Sequence, residues 1–105
     1  MLDHLYEEGF HVAAMDVRGQ GFSDRPLENP QIAHCNTFEE YVSDTVALLS
    51  AVRKRARVRR VFGIAHSMGG QIAMRTELTH PGTFSKLVLS APMCMPLTAL
   101  PNRMV

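Results

Sequence analysis

Val61-Phe-Gly-Ile-Ala-His-Ser-Met-Gly-Gly70 decides the reading of this chain. Val61 to Ile64 is a short apolar run with β-branched residues, the composition of a buried strand. Ala65 to Gly69 is a small-x-Ser-x-small turn, and Gly70 to Thr79 carries a helical pattern with Ile72, Ala73 and Leu78 as inward positions. Strand, sharp turn with a central serine, and helix together form the context that gives a nucleophile elbow its meaning.

The turn needs these residue types. A serine at its tip is strained, and its hydroxyl stands clear of the strand end. Strand and helix pass close together, so the positions two before and two after Ser67 must be small, as Ala65 and Gly69 are. The helix points its unpaired N–H groups and its positive dipole end at the serine. The Met68 backbone N–H is therefore the candidate oxyanion donor. The plainer alternative makes Ser67 an N-cap and the glycines mere packing. Agreement between motif and context favours the nucleophile.

Ala65-His66-Ser67-Met68-Gly69-Gly70 resembles the elbow of the α/β-hydrolases, in the branch of lysophospholipases, monoacylglycerol lipases and serine aminopeptidases. Three more stretches are similar to that branch: Asp16-Val-Arg-Gly-Gln-Gly-Phe-Ser23, His34-Cys-Asn-Thr-Phe-Glu-Glu-Tyr-Val-Ser-Asp44 and Leu89-Ser-Ala-Pro-Met93. The resemblance is closest to bacterial lysophospholipases. It runs through nearly all 105 residues but matches only a middle portion of a family member, so the chain reads as an internal fragment.

That resemblance implies an α/β fold: an incomplete α/β-hydrolase core of three parallel strands with flanking helices, missing the early and late strands. Residues 1–105 would be the central part of a single domain, with 92–105 starting the cap or lid. The implied chemistry is ester hydrolysis through an acyl-serine on Ser67, with Met68 N–H on the oxyanion and Ala65, His66, Gly69 and Gly70 supporting the elbow. A lysophospholipid or monoacylglycerol is the implied substrate. A peptidase of the serine aminopeptidase kind is the alternative within the fold, and a non-catalytic truncated product the alternative outside it.

The totals set bounds. A chain of 105 residues fits at most one small domain. With 46% hydrophobic and 20% charged residues it has the composition of a globular chain, not a disordered one. A net charge of +1 gives no global pull toward nucleic acid. Cys35 and Cys94 lie far apart with no metal spacing and read as free buried thiols of a reducing compartment, hence a cytoplasmic location. No apolar run is long enough to span a membrane, the opening residues do not read as a signal peptide, and no metal or cofactor motif is present.

In chain order, Met1 to Glu8 reads as the last turns of a helix stopped by Gly9, and Phe10 to Met15 as a strand. Arg18 to Asn36 is a loop punctuated by glycine and proline. Its Arg18-Gly-Gln-Gly could be a phosphate-binding turn but lacks the third glycine, and His34 reads as a loop histidine. Thr37 to Val52 is the strongest helix, with Thr37 and Glu40 spaced as a capping box. Arg53 to Arg60 carries six basic residues in eight. It reads as a solvated helix end, or alternatively as a contact with the anionic inner face of a membrane. Lys86 to Ala91 is a strand, and Pro92 to Val105 is rich in methionine and proline. That tail is either loose or the entry to a lid, since methionine adapts to varied apolar ligands.

The chain cannot complete a triad. In the family's order, acid and histidine both follow the serine. After Ser67 the only acidic residue is Glu77 and the only histidine is His80. Thirteen residues of helix place His80 roughly 20 Å from Ser67, against a hydrogen-bond reach of about 3 Å. The catalytic aspartate and histidine are therefore expected outside the chain, as is the second oxyanion donor.

Overall fold

The computed structural model describes residues 1–25, 27–29 and 36–94. Helix α1 spans Leu2–Glu7, α2 spans Glu39–Ala56, strand β1 spans Phe62–His66, α3 spans Met68–Thr79, and β2 spans Lys86–Ser90. The strands pair in parallel, with Phe62 opposite Lys86 and His66 opposite Ser90. Helix α3 makes the crossover between them, packing on the sheet with one side and on α2 with the other.

The core lies where α2 meets α3. Val42 and Thr76 are fully buried, with Tyr41, Leu49, Ile72 and Ala73 around them. The two threonines admitted to this core satisfy their hydroxyls within their own helices. Thr45 Oγ1 donates to Tyr41 C=O at 2.8 Å and Thr76 Oγ1 to Ile72 C=O at 2.7 Å. Thr76 takes the inward place expected of Leu78, which is 78% exposed. Ile72 and Thr76 are one turn apart on one helix face, whereas Leu78 falls about 120° away from Ile72.

Among the described residues two strands form the sheet, not three. Residues 10–15 adopt no regular structure, because no described strand offers them a ladder. Phe10 N–H instead returns to Leu5 C=O at 3.1 Å and Gly9 N–H to Tyr6 C=O at 3.0 Å. This is a Schellman stop for α1 with Gly9 at φ 93°. Phe10 and Val12 stand exposed beyond it.

The expected capping box is displaced by one residue. The Glu40 carboxylate accepts the Asn36 N–H at 2.7 Å, while Thr37 contributes only its carbonyl, to Glu40 N–H at 3.1 Å. Helix α2 also runs one turn past Val52, to Ala56, and stops at Arg57 in the left-handed region. Cys94 is exposed rather than buried, since it follows β2 where no described element covers it. Cys35, His34 and residues 95–105, including most of the expected lid entry, lie outside the described residues. Among the described residues no helix is long and apolar enough to cross a membrane, and no group of side chains could hold a metal ion.

Candidate active site

Ser67 sits at the junction of β1 and α3 with φ 53° and ψ −120°. These are the dihedrals of the first central residue of a type II′ turn, a position glycine normally takes. The bend is sharp enough that β1 ends at His66 and α3 begins at Met68. The Ser67 side chain is exposed. Its carbonyl accepts the N–H groups of Gly70 at 3.0 Å and Gln71 at 3.3 Å, starting the helix. The Met68 and Gly69 N–H groups precede that first bond and have no acceptor among the described residues. A hydroxyl with free N–H groups and a positive helix end beside it can attack a carbonyl carbon and hold the negative oxygen that results.

The small residues divide the work differently from the sequence expectation. A Cβ on Gly70 would lie 2.7 Å from Pro92 Cβ and 3.0 Å from its Cα, so Gly70 cannot be larger without moving backbone. A Cβ on Gly69 would meet nothing within 4 Å among the described residues. A Cβ on Gly63 in β1 would come within 2.6 Å of Leu87 Cδ1 and 2.9 Å of Phe84 Cδ1, so those side chains would have to shift. Ala65 is half-buried on the same strand face as Gly63, toward α3. His66 turns from the serine to the end of β2, with Nδ1 3.0 Å from Ser90 C=O.

Glu77 and His80 are engaged at the far end of α3. The Glu77 carboxylate accepts Gly82 N–H at 2.7 Å and Phe84 N–H at 3.0 Å, which braces the turn into β2. Hydrogen bonds from the Phe84 and then the Gly82 N–H groups hold its carboxyl below the usual glutamate range. His80 Nδ1 lies 3.0 Å from Thr79 Oγ1. Among the described residues no acid or histidine is hydrogen-bonded to the Ser67 hydroxyl, and His66 is engaged with Ser90 instead.

The glycine turn at 18–23 closes on the carboxylate of Asp16. Asp16 Oδ2 accepts Phe22 N–H at 2.9 Å, and a Cβ on Gly21 would lie 2.3 Å from that same oxygen. Gly19, at φ 79°, donates to Asp24 C=O at 2.9 Å, and Ser23 Oγ donates to Asp16 C=O. Arg18 ties this turn to α2 through a two-pronged contact with Asp44, at 2.8 and 2.9 Å, and a third contact with Glu40 at 3.2 Å. The Asp16–Ser23 and His34–Asp44 stretches are thus physically joined, which their spacing in sequence does not reveal. The sequence reading also gives Ser90 and Pro92 no role at the elbow; the one signal was the small-residue, proline-containing end of the Leu89–Met93 stretch.

The basic run lies at the opposite end of β1 from Ser67. Arg60 and Ser67 are separated by an extended segment of roughly 20 Å at ~3.3 Å per residue. Lys54, Arg55, Arg57, Arg59 and Arg60 are exposed there, while Arg53 donates to Thr83 C=O.

Comparison with known proteins gives consistent matches. Residues 1–104 match the family described as "Serine aminopeptidase, S33". Lysophospholipase L2 of Escherichia coli strain K12 is 37% identical over 100 residues, which is 95% of this chain and 29% of that protein. A probable lysophospholipase L2 of Haemophilus influenzae is 34% identical over 88 residues, 84% of this chain and 28% of that protein. The chain therefore spans less than a third of the length of the curated relatives it matches. No solved structure matches it.

Proposed function

This chain belongs to the serine aminopeptidase family of α/β-hydrolases, in its lysophospholipase branch; from this we propose that it carries the nucleophile of a serine ester hydrolase acting on a lysophospholipid or a monoacylglycerol. The observation that carries this reading is the strained, exposed Ser67 at the strand-to-helix bend with the free Met68 N–H beside it.

In the proposed reaction Ser67 Oγ attacks the ester carbonyl carbon and gives its proton to a histidine base. The Met68 N–H holds the oxygen that becomes negative. The bond to the alcohol then breaks, the alcohol leaves with that proton, and an acyl-serine remains. Water, deprotonated by the same base, releases the fatty acid and restores Ser67. Acid and base come from outside these 105 residues, so the isolated chain makes at most the first contact and turns nothing over. Residues 1–105 act as the central part of one domain, with 92–105 leading into its cap. No cofactor enters the chemistry.

The lipid substrate is supported by the names of the relatives, and the family's description supports a peptidase as the second reading. The basic run would not deliver lipid to the serine, since it lies at the other end of the strand. The test is turnover of lysophosphatidylcholine, a monoacylglycerol and an aminoacyl p-nitroanilide by a full-length protein carrying this chain, and by its Ser67→Ala variant. Release of fatty acid, lost in Ser67→Ala, is the expected result. Cleavage of the anilide alone would install the peptidase, and turnover surviving Ser67→Ala would remove the nucleophile.

A further inference from the structure

Both backbone groups of Ser67 are tied to the other strand, the N–H to the last residue of β2 in the parallel ladder and the C=O to the segment that follows it. Ser67 N–H donates to Ser90 C=O at 3.1 Å, and Met93 N–H donates to Ser67 C=O at 2.9 Å. Between these anchors Ala91 itself holds φ 42°, and Pro92 fills the notch left by the missing Cβ of Gly70. His66 adds a fourth tie, with Nδ1 at 3.0 Å from Ser90 C=O and 3.3 Å from Ser90 Oγ. A carbonyl only accepts, so Nδ1 carries the proton in the shorter of these bonds.

We propose that Ser90–Met93 is a clasp that holds Ser67 in its strained conformation, and that His66 is the positioning residue that fastens the clasp to β1. This rests on Ser67 being the nucleophile. Strain of this kind persists only where the surroundings over-determine the backbone. Here the clasp is strained as well, because Ala91 also sits at positive φ, so relaxation at either site would be shared by both. His66 opposes that relaxation, since it adjoins Ser67 in sequence and grips the same carbonyl that accepts the Ser67 N–H. The side chain touches no reacting atom; it acts through the aim of Ser67 Oγ. Misplacing a reacting group by about 1 Å can cost 10²-fold in rate, so the effect falls on bond formation rather than on substrate affinity.

The experiment measures the inactivation rate constant and the reversible binding constant for a fluorophosphonate on a full-length protein carrying this chain. Rates are taken from the labelled fraction, so unfolded molecules do not enter. His66→Asn places an amide N–H where Nδ1 stands, His66→Gln places one where Nε2 stands, and His66→Leu places none. The expected result is a rate constant for His66→Asn within about threefold of the parent, and rates for His66→Gln and His66→Leu lower by about tenfold or more, with binding constants within about twofold throughout. Equal rates for His66→Asn and His66→Gln, or the reverse order, overturn the clasp while leaving the nucleophile in place. Absence of labelling in the parent, or labelling that survives Ser67→Ala, overturns the nucleophile and the clasp with it.

Discussion

At Ser67 the proposed chemistry belongs to the side chain and the strain to the backbone, and the two separate experimentally. A non-glycine residue in such a conformation costs roughly 1–3 kcal/mol, while glycine gives back about 0.4–1 kcal/mol in unfolded-chain entropy. In a full-length protein carrying this chain, Ser67→Gly is therefore expected to be more stable than Ser67→Ala by about 1 kcal/mol in denaturant unfolding, although both lack the hydroxyl. Equal stability of the two would place the strain elsewhere. Gly70 works in the opposite sense: its added Cβ would strike Pro92 backbone at 3.0 Å. Gly70→Ala is expected to lower stability by about 1–3 kcal/mol, measured the same way, with Gly69→Ala costing less. Ser67 and its small neighbours are legible in the sequence because the motif is local. That Gly70 is the tighter of the two glycines is not, because Pro92 arrives from beyond the end of β2.

At the scale of elements, the end of α3 offers a test through pH. Glu77 holds the turn into β2 as a carboxylate, and its folded value lies below the ordinary 4.5. The stability it contributes is complete above 4.5 and is lost as pH falls through the lowered value. Thermal unfolding followed below pH 5 should show a shallower acid loss in Glu77→Gln than in the parent. An unchanged acid limb would show that the bonds from Gly82 and Phe84 carry no weight. The helices were readable because their apolar periodicity is carried by their own residues, and α2 and α3 lie close to where the pattern puts them. Residues 10–15 were misread as a strand because an apolar run says nothing about whether a neighbour exists to complete its ladder. The capping box was misread for a related reason. Spacing gave Glu40 a partner in Thr37, while backbone geometry gave it Asn36.

On the scale of the whole molecule, one face of the sheet is open. Phe62 is 48% exposed, Ile64 51% and Val88 60%, and β1 presents an unpaired edge beside them among the described residues. Apolar faces and open edges of this kind recruit other chains. The isolated 105 residues are expected to self-associate and to melt without a sharp transition, as sedimentation velocity and calorimetry would show; a cooperative monomer would contradict this. The basic run at the far end of β1 is expected to leave ester chemistry alone. Replacing Lys54, Arg55 and Arg57 together with Gln in a full-length protein should keep kcat/KM for a soluble p-nitrophenyl ester within about twofold, because exposed charges so far from a site are largely screened. Pelleting of the same variant with anionic vesicles tests separately whether that end meets a membrane.

The proposed nucleophile is the serine at the β1–α3 bend, on which the covalent intermediate would form. The direct measurement is peptide mass mapping after a full-length protein carrying this chain has reacted with a fluorophosphonate. A single adduct on the peptide containing Ser67 is the predicted result. An adduct on another serine, or none in a protein that hydrolyses esters, would contradict it.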